Sequence, residues 1–167
     1  HVGRARQDER QLVQRLEAGT LDTALLALEA EIGDVEHAII GTDPFVLATP
    51  VNHPLGAKKS PAKPSELKDE CVLLLDDGHC FRQQSLAFCS SAHARELAFR
   101  ATSLSTLAQM VAAGTGVTLL PELAVATEAK HATLAIRRFV APAPKRTIGL
   151  IWRKRSPLAP ALRQIAA

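Results

Sequence analysis

Short apolar runs bounded by glycine, proline or polar turn residues alternate along this chain with segments of helical periodicity. That alternation constrains the fold more than any other feature. Residues 21–28, 45–51, 72–75, 99–102, 117–120, 134–140 and 147–152 read as strands. Residues 7–17 place Leu12, Val13 and Leu16 on one helical face and end at Gly19. Residues 81–89 form a second helix. Ser103 caps a third, which runs to Ala113 with Leu104, Leu107, Met110 and Val111 at helical spacing. A closing helix covers 158–165. Residues 52–63, with two prolines, a glycine and three lysines, form a loop, and Pro64-Ser65-Glu66-Leu67 starts a short helix. Strands alternating with helices predict an α/β architecture with mainly parallel sheets. Ala141-Pro142-Ala143-Pro144 is a stiff extended link of the kind that crosses between domains.

The chain of 167 residues, 47% hydrophobic, can bury one core or two small ones. Three cysteines cannot all pair internally, which argues against a secreted disulfide framework. No signal-peptide pattern and no apolar run near 18 residues occurs, so a cytoplasmic, membrane-free protein is expected. No acidic residue follows Glu128, while nine basic ones do. A solvated basic face explains this better than a nucleic-acid patch, because one tryptophan, five phenylalanines and no tyrosine make a poor stacking platform. The histidines have no ligand spacing with the cysteines, so no metal is expected. No phosphate loop and no Gly-x-Ser-x-Gly elbow appears, so no nucleotide cofactor and no serine hydrolase is supported.

Reactive chemistry concentrates in residues 76–89. Cys80 stands beside His79 and near Arg82 at a strand-to-helix junction, with Cys89 nine residues on. A neighbouring imidazolium, a guanidinium or a helix N-terminus each lowers a thiol's pKa. Nine residues of helix separate the two Cα atoms by roughly 13 Å and put the side chains on opposite faces. A disulfide needs Cα atoms within about 7 Å, so linking Cys80 to Cys89 would require unravelling the helix. The inert alternative is that both are small core hydrophobes. Cys89, in Leu86-Ala87-Phe88-Cys89, fits an apolar helix side. Cys71 reads as a structural residue at a strand start, and Cys80, with polar neighbours, fits the inert reading least well.

Residues 111–121, VAAGTGVTLLP, resemble a segment typical of effector domains in LysR-type transcriptional regulators. Residues 74–89, with Phe99-Arg100-Ala101-Thr102-Ser103-Leu104 and Arg146-Thr147-Ile148-Gly149-Leu150, resemble the peroxide-sensing members of that family. The resemblance runs from about Gln11 to the C-terminus. It implies a periplasmic-binding-protein-like (type 2) effector domain of two Rossmann-like subdomains joined by two crossovers. Subdomain I would hold residues 1–42 and 147–167, and subdomain II residues 43–146 with the redox cysteines.

The resemblance also implies the roles. Cys80 matches the peroxidatic cysteine and Cys89 the resolving one. His79 and Arg146 match residues of the peroxide pocket, and Gln84 is a polar partner for the oxidised sulfur. From the residues alone, Arg146 could instead pair with Asp76 or Asp77, and His79 could cap a helix or face solvent. The expected partners are hydrogen peroxide, a second copy in a homodimer and a tetramer in the full-length protein. Promoter DNA would be reached only through a helix-turn-helix that this sequence lacks. On this reading the chain is a regulator and not an enzyme. The alternatives are an effector domain binding a small metabolite co-inducer with inert cysteines, and a thiol peroxidase turning over at Cys80. The match further implies that subdomain I's first strand and a pocket threonine are missing. A second pocket threonine would fall near Glu9, where a carboxylate would impair sensing.

Overall fold

The computed structural model describes residues 9–30, 32–75 and 80–167. In chain order the elements are α1 (Glu9–Glu17), β1 (Thr23–Ala27), β2 (Val35–Pro50), α2 (Pro54–Ala57), a 3-10 turn (Pro64–Leu67), β3 (Cys71–Leu75) and α3 (Cys80–Ser91). There follow β4 (Arg95–Ala101), α4 (Leu104–Ala112), β5 (Thr118–Pro121), α5 (Glu122–Glu128), β6 (Leu134–Arg138), β7 (Lys145–Arg153) and α6 (Ala159–Ala166). Among the described residues no helix is long and apolar enough to cross a membrane. The chain divides into two compact units: one holds residues up to Thr42 and from Arg146 onward, the other Asp43–Lys145.

In the first unit α1 buries Val13 and Leu16 with Ala24, Leu26 and Ile151. Gly19, at φ +76°, lets the chain turn out of the helix. The Arg153 guanidinium then donates to the carbonyl oxygens of Leu16 and Leu21, satisfying acceptors that a helix end leaves open. β1 pairs antiparallel with β7, from Thr23 opposite Trp152 to Ala27 opposite Ile148. Trp152 packs with Ala159 and Leu162 of α6, and its indole N–H donates to Glu36 at 3.1 Å. Leu25 is 59% exposed, because β1 covers the core with one face only.

In the second unit the latter half of β2 is flanked by β5 and β6, both antiparallel to it. β3 and β4 pair in parallel, with α3 as their crossover helix. The expectation of mainly parallel sheets is therefore corrected. Parallel pairing needs a crossover that brings the chain back to the same end of the sheet, and here β2 lies between β5 and β6 and runs antiparallel to both. A bridge joins Val72 to Val117, where the backbone passes so closely that a Cβ on Gly116 would lie 2.5 Å from the Cys71 carbonyl oxygen. The core gathers Phe45, Leu47, Leu67, Val72, Leu73, Leu107, Leu119 and Leu120.

Three elements escaped the sequence reading: the first half of β2, α5, and α2 within the expected loop. β2 begins ten residues before residue 45, because its first half exposes Ile39 and Ile40 and never forms an apolar run. α5 has no capping side chain of its own at Pro121. Its cap comes from the buried Asp43, whose Oδ1 accepts from the Leu123 N–H at 3.0 Å. α4, by contrast, starts where its own Ser103 Oγ accepts from the Thr106 N–H at 3.1 Å. The 52–67 loop contains α2 and the 3-10 turn and is tied down by buried Arg137 on β6. That guanidinium donates to the Leu55 carbonyl at 2.9 Å, to the Ser60 carbonyl at 2.8 Å and to the Glu66 carboxylate at 3.3 Å.

Candidate functional site

Both candidate redox cysteines lie on α3, the helix between β3 and β4. Cys80 is its first residue, and Cys89 lies in its last turn. With the helix unbroken between them, the Cα atoms are roughly 13 Å apart, on opposite faces. Cys89 is a free thiol, 3% exposed. Burial, and then the negative charge of Glu96, push it up to about 12. In that position it is a poor nucleophile at neutral pH, since only the thiolate attacks.

The C-terminal half of α3 is held firmly. Leu86 and Phe88 pack against the core of the second unit, and Ala92 just after the helix is buried there. The Phe88 ring meets Phe139 edge to face, with centroids 5.0 Å apart. The Cys89 carbonyl accepts from the Ala92 and Ala94 N–H groups, which fixes the turn leading to β4. The middle of the helix is poorly satisfied. Gln84 Oε1 and Nε2 and the Ser85 hydroxyl are buried and find no hydrogen-bond partner among the described residues. Ser85, 1% exposed, stands one turn before Cys89 on the same face.

The other expected site residues fall elsewhere. His79 lies outside the described residues, as do Asp76 and Asp77. Arg146 is half-buried near the start of β7, in the first unit, whereas Cys80, Gln84 and Cys89 belong to the second. Cys71 is a free, half-buried thiol that opens β3. Much of the basic C-terminal charge is engaged in ion pairs: Arg137 with Glu66, Arg138 with Glu122, Arg153 with Asp22, Lys154 with Asp34 and Arg163 with Glu36. Among the described residues no group of three or more His, Cys, Asp and Glu side chains could hold a metal ion. Ser85 and Glu96 were missed from the sequence. A polar residue four positions before Cys89, within an otherwise apolar helix side, was the available signal for Ser85.

The model of the LysR substrate binding domain matches residues 5–167. The chain belongs to the LysR substrate-binding domain family. Within that family it is similar to a probable hydrogen peroxide-inducible genes activator of Mycobacterium avium, 46% identical over 158 residues. That match takes in 93% of this chain and 50% of the relative, so the chain spans about half the length of a curated relative it matches. It superposes on the crystal structure of the reduced form of OxyR with a TM-score of 0.84 at 39% identity, covering 96% of this chain and 75% of that one. On the oxidised form of OxyR the TM-score is 0.81 at 42% identity, covering 96% and 76%. This LysR substrate-binding domain thus has the periplasmic-binding-protein-like (type 2) α/β fold of the OxyR regulatory domains.

Proposed function

We propose that this chain is the hydrogen-peroxide-sensing regulatory domain of a LysR-type transcription regulator, with Cys80 as the sensing thiol and Cys89 as its resolving partner. The observation that carries the reading is the placement of both cysteines on one continuous helix, one at its first residue and one sealed in the core. A helix N-terminus favours an anion, so Cys80 is the better placed of the two to react as thiolate. The thiolate attacks one peroxide oxygen, the O–O bond breaks, and Cys80 becomes a sulfenic acid while hydroxide leaves and takes up a proton. His79 and Arg146 supply positive charge for the thiolate and the departing oxygen, and Gln84 a polar contact for the oxidised sulfur. Cys89 then attacks the sulfenic sulfur, expelling water and closing the disulfide. Two thiols and one peroxide give one disulfide and two waters.

Cys89 cannot take part from its buried position. α3 must unwind to bring the sulfurs together, and that unwinding is the signal. In the whole protein the altered domain rearranges a homodimer, and a tetramer built from it, on promoter DNA held by a separate helix-turn-helix. The division into two compact units supports a reading of the chain as subdomains I and II. The protein works in the cytoplasm, where cellular dithiols reset the disulfide. It is a switch and not an enzyme, because each oxidation leaves one lasting disulfide. Intact and peptide mass spectrometry after brief exposure to a few equivalents of peroxide tests this. A loss of two hydrogens mapped to a Cys80–Cys89 link, absent from Cys80→Ser, is expected. Unmodified thiols with a small-molecule-dependent rise in melting temperature would instead favour a metabolite-binding domain.

A further inference from the structure

We infer that the buried, partnerless polar side chains in the middle of α3, Ser85 above all, set the redox midpoint of the Cys80–Cys89 pair by destabilising the helical, reduced state. The inference rests on the disulfide reading above and deepens it. Ser85 takes no part in the exchange of bonds. It acts through the conformation that keeps the two sulfurs apart.

Helix α3 is strong at its C-terminal end and weak in its middle. Its C-terminal half is anchored by Leu86, by the Phe88–Phe139 ring pair and by the Cys89 carbonyl. Between that anchor and Cys80 lie Gln84, whose amide oxygen and nitrogen are both buried without partners, and Ser85, whose hydroxyl is in the same state. A polar group taken out of water without a replacement hydrogen bond disfavours the conformation that buries it. Unwinding α3 returns these groups to water. The cost is therefore present in the dithiol state and relieved in the disulfide state, which moves the balance toward disulfide.

The linkage can be written with its atoms balanced. In a glutathione buffer the chain's dithiol and one oxidised glutathione exchange to give the Cys80–Cys89 disulfide and two reduced glutathiones. Whatever destabilises the dithiol raises that equilibrium constant. Replacing the Ser85 hydroxyl by hydrogen removes the burial penalty from the dithiol state and leaves the disulfide state little changed.

Ser85→Ala, Ser90→Ala and the unaltered protein would each be equilibrated across a range of reduced-to-oxidised glutathione ratios, then quenched with alkylating agent. The Cys80–Cys89 disulfide is quantified by peptide mass spectrometry. Ser90 is exposed on the same helix, so its replacement carries the same gain in helix propensity without relieving a buried group. Ser85→Ala is expected to lower the equilibrium constant about tenfold, which makes the midpoint about 30 mV less negative. Ser90→Ala should shift it by about twofold. The melting temperature of reduced Ser85→Ala should rise.

A Ser85→Ala shift no larger than that of Ser90→Ala overturns the inference and leaves the sensing reading intact. If the unaltered protein forms no Cys80–Cys89 disulfide at any ratio, both fall together.

Discussion

Replacing Phe88 by alanine should unlock Cys89. The Phe88 ring is half-buried and meets Phe139 edge to face at 5.0 Å, in the half of α3 that holds Cys89 in the core. Deleting a fully buried phenylalanine side chain costs about 3–5 kcal/mol. Half-burial reduces this to about 2 kcal/mol, of which an aromatic pair supplies about 1. The contact is lost whenever that end of α3 opens, so its removal favours the open form by about thirtyfold. With its pKa pushed up by burial, closed-state Cys89 is overwhelmingly protonated at pH 8. Alkylation must then pass through the open form. In a Cys80→Ser background, iodoacetamide labelling of Cys89 followed by peptide mass spectrometry should run about thirtyfold faster in Phe88→Ala. Half-buried Cys71, labelled in the same samples, reports any general loosening and should change much less. A Cys89 rate raised less than about threefold would refute the idea that this ring holds the thiol shut.

Lys58, followed by the Lys63 backbone N–H and Arg137, holds Glu66 down to about 2 against the opposing effect of burial. The folded pKa lies below the ordinary 4.5, so this stabilisation is present above about pH 4.5 and is lost as pH falls through about 2. Glu66→Gln should flatten that acid limb and cost about 1 kcal/mol at pH 7, measured by urea denaturation. Asp43→Ala removes the cap of α5 and should cost about 1–2 kcal/mol, seen as a fall in melting temperature of about 3–6 °C. Gly116→Ala would place its Cβ against the Cys71 carbonyl oxygen, and about 2–3 kcal/mol of overpacking should appear in the same denaturation series.

What the sequence disclosed follows from how local each signal is. Helix α4 carries its own cap in Ser103, and α3 carries its two cysteines in one stretch, so both are legible from consecutive residues. Helix α5 was invisible because Asp43, its cap, lies 80 residues away along the chain. The first half of β2 was missed because exposed Ile39 and Ile40 lack the buried run that marks a strand. The antiparallel placement of β5 and β6 beside β2 is a long-range choice that no local periodicity records. At the site, spacing alone showed that Cys80 and Cys89 cannot meet within a helix. It could not show that Cys89 is sealed in the core near a partnerless Ser85, because burial is decided by the distant segments of the second unit's core that pack against α3.

The central claim is that the disulfide forms only at the expense of α3. Amide hydrogen exchange across residues 84–91, compared between the reduced protein and the protein oxidised to a verified Cys80–Cys89 disulfide, tests it most directly. Slow exchange in the reduced form and rapid exchange of the same amides in the oxidised form is the predicted result. Equal protection of α3 in both states, with the disulfide present, would contradict the account.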